Sequence, residues 1–178
     1  MNKIEIIKNL NDSHVEFWNT AMQLPNPTIP KNKKWSVYQN VDHINIGLLR
    51  LGNYLALPKS QIETLCGLSE RESTTYEKLI KIYLKAMSSG IKATEPFIPE
   101  LNLSGNLEEL ISNGKNLLAE FVSNLNDWTE DDLDLYNCPH PALGTITIRE
   151  ILYFTIYHVQ HHNKIIITHY SQVQKNKP

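Results

Sequence analysis

The chain has 178 residues, of which 41% are hydrophobic, and its 17 basic and 19 acidic residues give a net charge of −2. This length predicts one domain over residues 1–178, with a sizeable core. The small net charge argues against a nucleic-acid partner or an anionic membrane surface. We expect no signal peptide, because charged residues interrupt the first apolar stretch. No apolar run reaches the roughly 20 residues of a membrane span, so a cytoplasmic location is expected.

The first half of the chain predicts two long helices. Apolar residues recur at helical spacing from Lys3 to Leu24, and the proline-rich segment 25–34 then breaks the pattern. The second helix begins after Ser36, which forms a capping box with Gln39, and it ends at Pro58. The segment 58–72 is ambiguous and indicates at most a short helical turn in a polar connection.

The second half predicts three more helices. They cover about residues 74–90, 107–125 and 148–170. We place a capping box of Thr74 and Glu77 at the start of the first of these, and one of Thr147 and Glu150 at the start of the last. No strand-like alternation is sustained anywhere. Four long helices and a shorter one favour an all-α fold, a four-helix bundle with a short extra helix and long loops.

The last helix carries three histidines within five positions. His162 lies in its inward-facing stripe, and His158 lies one turn earlier and roughly 40° away. His161 points roughly 100° from His162 and is not expected to join them. Two imidazoles on one helical face can bind one divalent ion at roughly 2.0–2.1 Å each, provided that another element supplies a third ligand. The alternative is an ordinary buried histidine beside a surface one.

Spacing leaves the third ligand open among four histidines. His43 on the second helix is favoured, because Gly47 one turn later leaves room for a ligand or for close helix contact. His14 belongs to the apolar series of the first helix and can be a core residue. His140 lies between two prolines in a loop and is expected to be solvated, although this loop leads into the last helix and could line the site. His169 is two turns beyond His162, too far to share its ion.

Two stretches resemble the DinB-like superfamily of damage-inducible and YfiT-like helical bundles. They read KKWSVYQNVDHI and HPALGTITIREILYFTIYHVQHHNKII. The shared pattern is a Trp-Ser helix start, a histidine one to two turns later, an HPxxG-like loop and a final His-x3-His. The resemblance implies a divalent metal ion, often nickel or zinc, bound by His43, His158 and His162. The family usually has glutamine where this chain has Ile165.

Three neutral imidazoles leave coordination positions vacant, where water becomes more acidic or a thiol is deprotonated. The resemblance therefore implies either a low-molecular-weight-thiol transferase or a metal-dependent hydrolase that acts on a small-molecule substrate. No residue stands out as a general base. The alternative is a helical bundle that binds a metal or a small molecule without catalysis.

Other features have simpler interpretations. Trp35 is expected to pack at the start of the second helix, Cys138 to be incidental, and the acidic run 130–134 to be a solvated face. The last helix is apolar on nearly all sides, so it is central or lies at an interface. We expect a homodimer from this feature, and the resemblance implies one as well.

Overall fold

The computed structural model of the protein describes residues 1–90 and 94–170. The helices are α1 (Lys3–Gln23), α2 (Val37–Leu55), α3 (Lys59–Cys66), α4 (Tyr76–Ser88), α5 (Leu107–Asn124), α6 (Glu130–Leu135) and α7 (Ile148–Tyr170), and the strands are β1 (Asn137–His140) and β2 (Gly144–Thr147). Single 3₁₀ turns lie at Glu95–Phe97, between α4 and α5, and at Leu125–Asp127, between α5 and α6. The predicted single domain over 1–178 includes residues outside the described ranges, so it stays a prediction. The predicted loop after Gly90 also lies partly outside the described residues.

Helices α1, α2, α5 and α7 form a four-helix bundle, which confirms the predicted all-α class. Helix α1 packs along α7, and α2 packs along α5. Helix α7 also contacts α2, α4, α6 and both strands, so neighbours surround it on most sides. Most of its apolar residues are accordingly buried, including Tyr153, Ile156 and Ile166, whereas Ile167 stays exposed. Central packing within the chain therefore accounts for a helix that lacks a polar face.

Two of the predicted capping boxes form as expected. The Ser36 hydroxyl accepts from the backbone N–H of Gln39 at 3.1 Å, and the Gln39 side chain accepts from the N–H of Ser36 at 3.0 Å. Thr147 and Glu150 exchange the equivalent bonds at 2.9 and 3.2 Å. The start of α4 differs by one residue, because Thr75 caps it. The ambiguous segment after Pro58 contains helix α3.

The connection before α7 is more ordered than the sequence predicted. Its acidic run forms α6, which packs through the fully buried Leu133. The carboxylates of Glu130 and Asp134 bind Arg149, so this run is a pairing surface for α7 and not merely a solvated face. Strands β1 and β2 then form an antiparallel hairpin. With four residues each, they are too short to produce a recognisable alternation.

The helices α2 and α5 approach closely at Gly114. Asn45 on α2 donates to the carbonyl oxygen of Leu110 at 2.9 Å. A Cβ atom at Gly114 would lie 2.4 Å from Oδ1 of Asn45. Glycine in the middle of α5 thus permits the packing that fixes α2, the helix that carries His43. Among the described helices, none is both long and apolar enough to cross a membrane.

Candidate metal centre

The three histidines implied by the resemblance meet at one point in the bundle. His43 comes from α2, and His158 and His162 come from consecutive turns of α7. One potential ligand nitrogen from each ring lies within 4.8 Å of the other two. The Nε2 atoms of His43 and His158 are 3.1 Å apart. Across the described ranges, no other group of three histidine, cysteine or acidic residues has this arrangement.

Hydrogen bonds fix the ring of His43. Its Nδ1 lies 2.6 Å from the backbone oxygen of Phe97, in the 3₁₀ turn after α4. A carbonyl oxygen only accepts, so Nδ1 carries the proton and Nε2 presents a lone pair. This lone pair faces His158.

The ring of His162 is held in the same tautomer. Its Nδ1 lies 2.7 Å from Oδ1 of Asn40. The Asn40 amide group cannot be rotated by 180° without losing hydrogen bonds, because its Nδ2 donates to the carbonyl oxygens of Trp35 at 3.2 Å and Ser36 at 2.8 Å. Nδ1 of His162 therefore donates to the amide oxygen, and Nε2 is left as an acceptor or a ligand.

Burial keeps these imidazoles neutral. It lowers the pKa of His43, although the bond to the Phe97 oxygen acts in the opposite direction. Burial lowers the pKa of His158 and His162 well below the usual value, and the neighbouring imidazoles lower both further. The neutral ring is the form that binds metals. Ligand nitrogens on one zinc-like ion lie roughly 3–3.5 Å apart, so the His43–His158 spacing fits such an ion.

The remaining histidines lie outside this group. His161 stacks on Tyr157 with ring centroids 6.0 Å apart and does not join the cluster, as predicted. His14 is a fully buried core residue whose Nδ1 lies 2.7 Å from the Leu10 oxygen. His169 near the end of α7 is also separate.

The solvated position expected for His140 was wrong, whereas the alternative, that its loop lines the site, is confirmed. Its ring is half-buried, with its centroid 4.3 Å from that of Phe154 on α7. The reason is the hairpin, which carries the proline-bounded loop back against the bundle. Burial there lowers the pKa of His140 to about 4.

A cavity of about 570 Å³ adjoins the three histidines. Its wall is largely apolar and includes Leu48, Phe154 and Ile165, the last where the family usually has glutamine. A Cβ atom at Gly47 would meet nothing within 4 Å, so glycine leaves space beside His43 as expected. The cavity can hold a small molecule against the histidine cluster.

Two other residues of the cavity wall, Trp35 and Cys138, bear on the chemistry of the site. The Trp35 ring lies 4.9 Å from that of His43 and stacks near His162 at 6.3 Å, measured between centroids. It therefore covers the histidine cluster in addition to preceding the N-cap of α2. Burial raises the pKa of Cys138 to about 12, so its thiol stays protonated and is no nucleophile at neutral pH.

Fold and site together define a four-helix bundle with a buried three-histidine centre beside a small-molecule cavity. The sequence model of the DinB superfamily matches residues 27–166, and the chain belongs to this superfamily. Comparisons with curated proteins and with solved structures found no match.

The sequence did not reveal the acceptors that orient the rings. Asn40 lies one turn before His43 on the same helix, and this spacing could have suggested a partner for the site. The carbonyl oxygen of Phe97 left no signal, because every residue has such an oxygen and only the tertiary fold selects this one.

Proposed function

We propose that this protein is a metal-dependent enzyme that binds nickel or zinc through His43, His158 and His162 and transfers a low-molecular-weight thiol to a small-molecule substrate, with hydrolysis as the alternative reaction. The observation that carries the proposal is the convergence of three neutral imidazoles beside a cavity large enough for a substrate. A divalent cation held by these three imidazoles would supply Lewis acidity, which would lower the pKa of a thiol or a water molecule bound to it.

The chain's own residues support this chemistry by holding the donors in place. The Phe97 oxygen and the Asn40 amide fix the tautomers of His43 and His162 before any ligand binds. Trp35 packs against the ring of His43 and, with the largely apolar wall, gives a substrate an apolar surface beside the three imidazoles.

Thiol transfer is favoured over hydrolysis by the composition of the cavity wall. Among the described lining residues there is no aspartate or glutamate to act as a general base. A thiol, with an ordinary pKa of about 8.5, needs far less assistance to ionise than water does. In the transfer, sulfur bonds to an electrophilic carbon as that carbon's bond to its leaving group breaks, and the thiol proton passes to solvent.

Metal analysis of protein purified without a nickel column tests the ligand set. We expect about one ion per chain, and loss of that ion in His43→Ala, His158→Ala and His162→Ala. His161→Ala is the matched control, because this imidazole is on the same helix but outside the cluster. Nickel should also quench the fluorescence of Trp35, and Trp35→Phe should lose most of that quenching. Unchanged ion content in His158→Ala would show that the ligands are misassigned.

Assays of thiols with electrophiles, and of hydrolysable esters and amides, then test the reaction. Turnover that a chelator abolishes and that requires a thiol supports the transferase. Turnover of the esters or amides without thiol supports the hydrolase. Saturable binding without turnover would instead identify a non-catalytic metal or small-molecule binding bundle.

We further propose that the protein is a cytoplasmic homodimer. Cys66 and Cys138 are both free thiols, which suits a reducing compartment. Ile167 remains 42% exposed on α7, although most of this helix is buried within the chain. Sedimentation equilibrium should give twice the mass of the chain, and a single-chain mass over the accessible concentration range would reject the dimer.

A further inference from the structure

His140 has a fixed tautomer that its role in the hairpin alone does not require. The backbone N–H groups of Ala142 and Leu143 both donate to its Nδ1 at 3.1 Å. Two donors can approach only a lone pair, so Nδ1 is unprotonated and the ring proton is on Nε2. The turn that imposes this geometry is tight, with Gly144 at φ +71° in the left-handed region that favours glycine.

The Nε2–H group of His140 is available to a ligand. His140 lines the same cavity as the three clustered histidines. Within residues 1–90 and 94–170, no acceptor forms a hydrogen bond with its Nε2, and this atom is not among the buried polar atoms that lack access to solvent. Contact with Phe154, whose ring also stacks on His158 at 4.9 Å, fixes the imidazole relative to the metal centre.

The charge of the cavity indicates what this donor binds. Its described wall includes Lys33 and Lys34 and no acidic residue, although the chain has more acidic than basic residues overall. The turn that presents the two lysines has Asn32 and Lys33 in left-handed conformations at φ 50° and 59°. The neutral histidine ligands would leave the charge of a divalent cation uncompensated, so the cavity favours anions.

We propose that the cavity takes an anionic substrate with an apolar body, and that His140 is a positioning residue whose Nε2–H donates to an acceptor oxygen of this substrate. Lys33 and Lys34 attract its negative charge at the cavity mouth, and the apolar wall takes the rest of the molecule. This inference rests on the proposed function only in placing the substrate beside the metal centre. The binding site itself exists in the metal-free chain and can be tested there.

The test separates the hydrogen bond to substrate from the role of His140 in the turn. In His140→Asn, the amide oxygen can take the place of Nδ1 and accept from Ala142 and Leu143, but no donor remains at the position of Nε2. His140→Phe removes both functions. His169→Asn is the control, because His169 is another histidine on α7 and is not among the described residues that line the cavity.

The probes are a series of alkyl and aryl carboxylates, from acetate to 3-phenylpropanoate, each compared with its neutral amide. Binding is measured by calorimetry on the metal-free and the nickel-loaded protein. For the metal-free wild type, we expect carboxylates to bind more tightly than amides. His140→Asn should weaken carboxylate binding about ten- to hundredfold, as expected for a hydrogen bond to a charged group, with a melting temperature near that of the wild type. Exchanging Lys33 and Lys34 together for alanine should remove the preference for carboxylates.

Three results would overturn the proposal. They are carboxylate binding in His140→Asn as tight as in the wild type, no preference for carboxylates over amides, and no saturable binding across the series. Nitrogen-15 spectra of the imidazoles provide a separate check, because His140 should be protonated on Nε2. These measurements do not need a bound ion, so loss of the metal site and loss of the anion site are distinguishable.

Discussion

The Asn40 side chain of α2 accepts a hydrogen bond from Nδ1 of His162 on α7, with 2.7 Å between the two atoms. It therefore connects the two helices that supply the three imidazoles. Because Asn40 is itself held by two carbonyl oxygens at the start of α2, the orientation of His162 depends on how that helix begins.

Replacing Asn40 with alanine should weaken metal binding without removing a ligand. The expected loss of affinity is about 10- to 100-fold, the usual effect of removing a partner that orients a metal-binding histidine. Nickel titration followed by Trp35 fluorescence measures it. Asn45→Ala is the matched control, because Asn45 is a buried asparagine of the same helix that bonds to Leu110 instead. Equal losses in the two variants would mean that Asn40 acts through general stability.

Glu150 should contribute more to stability than the arginine that pairs with it. Its side chain is 1% exposed, and it accepts from Arg71 through both oxygens at 2.7 Å as well as from the N–H groups of Thr74 and Thr147. Glu150→Ala removes all four bonds and leaves the backbone N–H groups of Thr74 and the fully buried Thr147 unpaired, so we expect a loss of about 3 kcal/mol in the free energy of unfolding. Urea unfolding measures this value.

Arg71→Ala provides the comparison for Glu150. The Arg71 side chain is 52% exposed, so solvent screens its half of the ion pair. Its removal still leaves Glu150 bonded to two backbone N–H groups. We expect a loss of about 1 kcal/mol, clearly below that of Glu150→Ala. A loss in Arg71→Ala as large as that in Glu150→Ala would mean that the ion pair, and not the helix cap, dominates.

The features that the sequence predicted well are those set by local spacing. The capping boxes at Ser36 and Thr147 depend on residues three apart, and the shared face of His158 and His162 follows from helical geometry alone. Thr74 was an easy error, because Thr75 beside it can cap a helix equally well. Spacing favoured His43 without excluding the other candidates, and only the resemblance selected it, since the register between α2 and α7 is a property of tertiary packing.

The features that the sequence did not predict depend on contacts between distant segments. Phe97 lies 54 residues from His43 along the chain, and its contribution is a backbone oxygen. His140 appeared solvated because prolines flank it, yet the hairpin carries it onto Phe154. Arg149 gave no periodic signal, and its partners Glu130 and Asp134 were visible only as a charged run.

Gly114→Ala should destabilise the protein even though alanine favours a helix. The new Cβ would lie 2.4 Å from Oδ1 of Asn45 and 3.1 Å from the Trp18 ring, so α2 and α5 must separate or Asn45 must move. Overpacking of this kind costs about 1–3 kcal/mol, more than the roughly 1 kcal/mol gained in helix propensity. Thermal unfolding measures the net effect.

Gly52→Ala is the control for this substitution. Gly52 is a buried glycine within α2, and a Cβ there would meet its nearest atom, in Phe121, at an ordinary 3.9 Å. The same change should therefore stabilise the protein, by up to about 1 kcal/mol. If both variants shift the melting temperature in the same direction, close packing at Gly114 is not what requires glycine there.

Acid should destabilise the metal-free protein through His14. Burial lowers the pKa of His14 from 6.5 to about 4. As the pH falls from 6.5 towards 4, the unfolded chain binds a proton at this ring and the folded chain does not. The free energy of unfolding therefore decreases through that window, by at most about 3 kcal/mol for this residue, and is regained as the pH rises.

His14→Phe removes the titrating ring, so its free energy of unfolding should fall less steeply over the same range than that of the wild type. Urea unfolding at a series of pH values, with chelator present, gives this slope for the wild type and for His14→Phe. The three clustered histidines are the same in both proteins, so their contribution cancels in the comparison. Parallel curves for wild type and variant would mean that His14 is protonated equally in the folded and unfolded states.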